Sequence, residues 1–231
     1  MPPGRSISVI VPVLNEEDII NRTLSHIRSL EGGEGVEIIV VDGSSRGGTI
    51  KAIEMEDIIT LTSAKGRGIQ MNAGADKAKG DILVFLHVDT FLPERGLEYM
   101  RRSLDDPKIS GGAFTLDMYD FDTFLKRLIF LQNLRARITR VPYGDQVIFV
   151  RRKDFNEIGG FAPIRLFEDV DLMSRMKRKK MRIDILHLKV RSSGRRFMEK
   201  GPIHALARNI FIISLYHIGV SPDRLARFYQ R

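Results

Sequence analysis

Residues Ile7 to Val13 form an unbroken, largely β-branched run that stops at Asn15-Glu16-Glu17-Asp18. Continuous apolarity over so short a stretch predicts a strand buried on both faces. Ile19, Ile20, Leu24, Ile27 and Leu30 then recur at helical spacing. Asn15, followed by two acids and then Asp18, predicts the N-cap of that helix, because side-chain acceptors and negative charge suit free N–H groups. After a glycine-rich loop, a second apolar run from Val36 to Val41 closes on Asp42-Gly43-Ser44-Ser45. Strand, helix, strand makes a βαβ unit, which pairs its strands in parallel and binds ligands beyond their carboxyl ends.

The alternation continues. It predicts a helix near Thr49 to Met55, a strand from Ile58 to Thr62, a helix from Gly68 to Ala78, and a third buried strand from Ile82 to Leu86. That strand delivers His87-Val88-Asp89. A helix follows Pro93 as far as Leu104, and a strand runs from Gly111 to Met118. Beyond it, Phe121, Phe124, Leu125, Leu128 and Leu131 predict the inner face of a helix flanked by Lys126, Arg127, Arg135, Arg137 and Arg140. Val147 to Val150 and Ile183 to Val190 read as strands, Gly159-Gly160-Phe161 as a turn and Asp169 to Arg178 as a helix. A final helix, near His204 to His217, ends at Gly219 with Pro222 as a stop signal. The expected class is α/β, one domain over 1–231, with a ligand-binding half at 1–118 and a less regular half at 119–231.

Composition sharpens this picture in two respects. The chain has 231 residues, 43% apolar, with no Cys, which excludes a disulfide scaffold and a thiolate metal site. Its net charge of +8 is unevenly divided: residues 1–120 hold 13 Lys and Arg against 19 Asp and Glu, and the rest hold 24 against 10. The front half is thus at −6 and the back half at +14. That asymmetry points the back half toward anionic partners, including a membrane surface, while the acidic front and the lack of interleaved aromatic and basic residues argue against nucleic acid. With neither an apolar signal core nor a spanning run, the expected location is cytoplasmic, with peripheral contact at the inner face of a membrane.

Carboxylates at the mouths of parallel strands suit a hard divalent cation, Mg²⁺ or Mn²⁺, that leaves positions for phosphate oxygens. Asp89 is the leading ligand, and His87, two residues earlier on extended chain, is expected on the same face. Read locally, the same residues also fit a turn cap and a strand end. Lys65-Gly66-Arg67-Gly68 is a glycine-rich basic loop before a helix, a setting for phosphates as well as for a solvated turn, with Gln70 and Asn72 offering amide contacts behind it. Phe167-Glu168-Asp169-Val170-Asp171 sets three carboxylates in four positions. Their repulsion raises the pKa of one and makes it a candidate general base, although acids also ordinarily decorate a helix N-terminus. The Arg175 to Arg182 run reads as a solvated face, whereas Ser192-Ser193-Gly194-Arg195-Arg196 is a loop where two guanidiniums can close on a diphosphate.

Together, Ile10 to Glu17, Ile39 to Ser45, Gly80 to Asp89 and Glu168 to Leu172 resemble four segments, in order, of the family 2 nucleotide-sugar glycosyltransferases of GT-A fold. The Leu-His-Val-Asp form is similar to that of a small bacterial and archaeal subgroup. The resemblance implies a metal-dependent, inverting transfer of a sugar from a nucleoside-diphosphate sugar to an acceptor hydroxyl on a small molecule, lipid or glycan. On that basis Pro12, Asn15, Glu16 and Asp42 border the nucleotide, and Gly66 and Arg67 lie near the base and diphosphate. Asp145, Glu168, Arg195 and Arg196 join the substrate-binding set. Asp89, with His87, holds Mn²⁺ or Mg²⁺, and Asp169 is the general base. Two departures stand out: Arg46 follows the serine turn where the family usually has an acid, and His87 replaces the first acid of the metal motif. A nucleotidyltransferase, and a non-catalytic module that binds nucleotide or a membrane surface, are the alternative readings.

Overall fold

The structure, a computed structural model, describes residues 5–119, 123–193, 208, 211–216 and 218–229. The buried runs form β1 (Ile7–Val13), β2 (Glu37–Asp42), β3 (Ile59–Thr62) and β4 (Ile82–Phe85), all parallel, in the spatial order β3-β2-β1-β4. Next to β4 lies β7 (Ile148–Arg151), antiparallel to it, then β6 (Ile109–Tyr119) and β8 (Arg182–Ser193), with the short β5 (Thr90–Phe91) at the edge. The result is one eight-stranded sheet, flanked by helices.

Alternation along the strands sends side chains to two cores. Val9, Val11 and Val13 face α1 (Ile20–Ser29), α4 (Gly96–Ser103) and α5 (Thr123–Thr139), while Ile10, Ile39 and Val41 face α3 (Arg67–Lys77), α6 (Arg152–Ile158) and α7 (Glu168–Arg178). This two-sided burial is why the strands read as continuous apolar runs rather than alternating ones.

Direction decides where chemistry gathers. Because β7 runs against β4, with Ile148 opposite Phe85, the residues that precede β7 sit beside those that follow β4. The 3₁₀ turn Gly144–Gln146 is therefore placed at the edge where β1, β2 and β4 end.

Several local expectations need correction. Asn15 is not a helix cap: it has φ +54°, and α1 begins only at Ile20, because the Glu16 carbonyl takes the Ile19 and Ile20 N–H groups in an intervening turn. The helix expected from Thr49 to Met55 is the four-residue α2 (Gly48–Lys51). Leu131 faces outward at 57% exposure, while Leu128 packs on the core; Phe121 and the side chains of Phe124 and Leu125 lie outside the described residues. Pro222 does not end the helical region but opens a last helix, Pro222–Tyr229, as first-turn prolines do. Of the helix expected over His204 to His217, 208 and 211–216 are described, and they are helical. Four elements were not foreseen: β5, α6, the 3₁₀ turn Gly144–Gln146 and the helix Pro222–Tyr229.

Candidate active site

Asp42 closes β2 and is fully buried. Its Oδ1 accepts the Ser44 N–H at 2.7 Å in an Asx-type turn, and its Oδ2 is buried with no hydrogen-bond partner. An unanswered buried acceptor at a strand mouth is costly unless a donor arrives from a ligand. Gln70 does not offer its amide to a ligand. Its Nε2 donates to the Val13 and Val41 carbonyls, both at 2.8 Å, clipping the ends of β1 and β2 together. Asn72 is likewise consumed, exchanging hydrogen bonds with the Phe161 backbone in both directions.

After β4 the chain turns rather than running extended: Thr90 N donates to the His87 carbonyl at 3.0 Å, so Val88 and Asp89 occupy the turn centre. His87 instead faces the 3₁₀ turn. A Cβ placed on Gly144 would lie 3.0 Å from His87 Nε2 and 3.3 Å from Asp169 Oδ2, so imidazole and carboxylate flank a position where any side chain would crowd them. Asp169 is held from two sides. Its Oδ2 accepts the Gly144 N–H at 2.5 Å and its Oδ1 the Val170 N–H at 2.7 Å.

The three clustered acids have separate fates. Asp171 pairs with Arg175 at 2.7 Å, and Arg175 also donates to the Ile158 and Gly160 carbonyls; it is a structural group rather than part of a solvated face. Glu168 is buried under Gly68, and that burial, reinforced by the Asp169 charge and opposed by Arg67 at 4.0 Å, pushes its carboxyl up to about 7. The group raised in this cluster is therefore Glu168. Asp145, in the 3₁₀ turn, is pushed up to about 6 by burial and by Asp169, against the hydrogen bond from Gln132 Nε2.

Residues on α5 complete the arrangement. Gln132 reaches Asp145, Asn133 brackets the Leu116 backbone through both its amide atoms, and the Arg135 guanidinium lies 3.7 Å above the Tyr143 ring. None of these was legible as a site residue, since each acts through a tertiary partner with no local spacing signal. Pro12, one residue before the end of β1, is buried beside Val41, Asn15 and Glu16 form the turn behind it, and Gly66 precedes α3 at φ +147°. Arg195 and Arg196 lie outside the described residues.

An α/β sheet with carboxylates at three neighbouring strand mouths, and an acid from a following helix aimed at them, defines a GT-A nucleotide-sugar transferase scaffold. The family model described as glycosyl transferase family 2 matches residues 8–170, and the chain belongs to that family. Among curated relatives, the glucosyl-3-phosphoglycerate synthase of Mycolicibacterium smegmatis is 28% identical over 123 residues, 49% of this chain and 38% of the relative. That of Mycolicibacterium paratuberculosis is 31% identical over 101 residues, 39% of this chain and 30% of the relative. The matched stretch thus spans well under half of either relative. Among solved structures, a mannosyltransferase from Pyrobaculum calidifontis in complex with GDP-Man and Mn²⁺ superposes with a TM-score of 0.69 at 19% identity, covering 82% of this chain and 57% of that one. Glucosyl-3-phosphoglycerate synthase from Mycobacterium tuberculosis, in complex with Mn²⁺, UDP and glucosyl-3-phosphoglycerate, gives 0.66 at 19% identity, covering 94% and 81%. These likenesses bear out the GT-A fold.

Proposed function

We propose that the chain transfers a sugar from a nucleoside-diphosphate sugar to an acceptor hydroxyl in a single inverting displacement. The observation that carries this reading is Asp169, fixed by the Gly144 N–H and facing His87 across the same glycine. A carboxylate so held can take the proton of an acceptor hydroxyl that attacks the anomeric carbon from the face opposite the leaving diphosphate. Asp42, with its unanswered Oδ2, takes a donor from the base or ribose, and Pro12, Asn15 and Glu16, at the end of the neighbouring β1, border the nucleotide. Gly66 and Arg67 flank the diphosphate, and Asp145, Glu168, Arg195 and Arg196 belong to the substrate-binding set.

Asp89 and His87 are the residues that would hold Mn²⁺ or Mg²⁺. Among the described residues no group of three or more His, Cys, Asp or Glu side chains is poised to bind a metal, so an ion held by Asp89 and His87 would take its remaining ligands from phosphate oxygens and water. When bound, the cation neutralises charge developing on the leaving diphosphate. The donor-binding half is assigned to 1–118 and the acceptor half to 119–231 of one domain. The acceptor is a small molecule, lipid or glycan.

A thermal-shift panel of UDP, GDP, CDP and TDP and their sugars, with and without Mn²⁺ or Mg²⁺, tests this. Ligand at a hundred times its Kd should stabilise the fold by about 2.7 kcal/mol. The shift should require metal and vanish in Asp89→Ala. A metal-independent shift that survives in that variant would refute the assignment of Asp89, and the absence of any shift would count against the donor class.

A further inference from the structure

Helix α5 is apolar on two faces, whereas a helix serving one core needs only one. Ile129 and Ala136 are buried, and Leu128 packs beside them. On the outside, Phe130, Leu131, Leu134 and Ile138 are 65%, 57%, 43% and 73% exposed. At helical periodicity these four fall within an arc of about 100°. Among the described residues none covers this continuous outward stripe, which marks a surface made to be covered.

The charges say by what. Residues 123–139 contain four cations, Lys126, Arg127, Arg135 and Arg137, and no acid, and Arg140 follows directly. Arg127 falls inside the apolar arc, and Lys126 borders it; both are exposed, as is Arg140 at the other end. Lys177 adds its ammonium to that end by donating to the Thr139 carbonyl at 2.9 Å. A second copy laid face to face on this stripe would set cations against cations with no acid of α5 itself to answer them, Asp120 and Asp122 lying before its first residue. An apolar stripe ending in cations instead matches an anionic lipid surface, where the aromatic and aliphatic groups enter the acyl boundary and the cations meet headgroups.

We infer that α5 docks the protein on anionic membranes through Phe130, Leu131, Leu134 and Ile138. No described helix is long and apolar enough to cross a membrane, so this is attachment in the plane of the interface. The opposite side of the same helix holds Asp145 and the Leu116 backbone through Gln132 and Asn133, so docking sets the candidate active site at a fixed height above the headgroups. The inference is independent of the reaction proposed above.

Co-sedimentation of the full chain with vesicles tests it, comparing pure phosphatidylcholine with phosphatidylcholine containing about 30% phosphatidylglycerol. Binding is expected only to the anionic vesicles and should weaken as salt is raised. The double substitution Phe130→Ser with Ile138→Ser should weaken it by about tenfold or more. Because both side chains are largely exposed, the variant should melt no lower than the parent and keep its circular-dichroism spectrum, which separates a docking defect from a folding defect. Absence of binding to either vesicle, equal binding by the variant, or a dimer in light scattering that the variant dissolves would each overturn the inference.

Discussion

Replacing Glu168 by Gln should make the protein more stable at pH 8 than the parent while changing little near pH 5. The carboxyl is buried and its proton is retained up to about pH 7, compared with about 4.5 for an unhindered glutamate. The sign follows from proton counting. Between those values the folded protein keeps a proton that the unfolded chain has released, so the stabilisation is present at low pH and lost as pH rises toward 7. Integrated over the interval, this one group costs the parent on the order of a few kcal/mol between pH 5 and pH 8. Gln keeps the shape and cannot ionise, and the contact it gives up with Arg67, 4.0 Å away and half exposed, is loose. Urea unfolding of both proteins at pH 5, 6, 7 and 8 reads the difference directly. For a chain of this size each kcal/mol corresponds to roughly 2–4 °C in Tm, so melting curves offer a second readout. A difference between the two proteins that stays flat with pH, or a Gln variant that is weaker at pH 8, would refute the argument that burial of this carboxyl dominates its ionisation.

Three further outcomes are expected. Asp169→Asn should lower turnover by about 10² to 10⁴ while nucleotide affinity, measured by calorimetry, stays close to that of the parent, since the change removes a proton acceptor; the amide keeps an acceptor for only one of the Gly144 and Val170 N–H groups, so Tm should fall slightly as well. Gly144→Ala puts a methyl 3.0 Å from His87 Nε2 and 3.3 Å from Asp169 Oδ2 at a backbone angle that alanine tolerates, so kcat should fall about tenfold or more with little change in Tm. Gln70→Ala leaves the Val13 and Val41 carbonyls buried without their donor and should cost about 1–3 kcal/mol in denaturant unfolding.

The parallel strands were legible because burial on both faces writes itself into sequence as unbroken apolar runs, and their carboxyl ends announced Asp42, His87 and Asp89. The Glu168 to Asp171 cluster was equally visible, but its division of labour was not. Which acid is buried depends on Gly68 lying against Glu168, a tertiary fact. Gln70 and Asn72 illustrate the reverse error: polar residues on a helix beside a phosphate-type loop look available for ligands until the strand ends and the Phe161 backbone claim them. Gln132, Asn133 and Arg135 were hidden within a helix read as a basic surface, since nothing in local spacing shows that α5 turns this edge toward the 3₁₀ turn. Helix α6 escaped notice because seven residues after a strand give too few turns for a period to emerge.

The insertion of β7 between β4 and β6 has a consequence for how the molecule comes into being. The outer flank of β4, four fully apolar residues from Ile82 to Phe85, has no neighbour until Ile148 and the three residues after it have been made. At ordinary translation speeds of about 5–20 residues per second, that flank stands open for roughly 3 to 13 seconds on the ribosome. During that time the nascent front half presents a sticky, unpaired ribbon edge to every other chain nearby. The glycine-lined β6, which cannot join the sheet until β7 does, then waits for β8, made later still, so the open flank of β4 is the place where crowding at high expression should first cause aggregation.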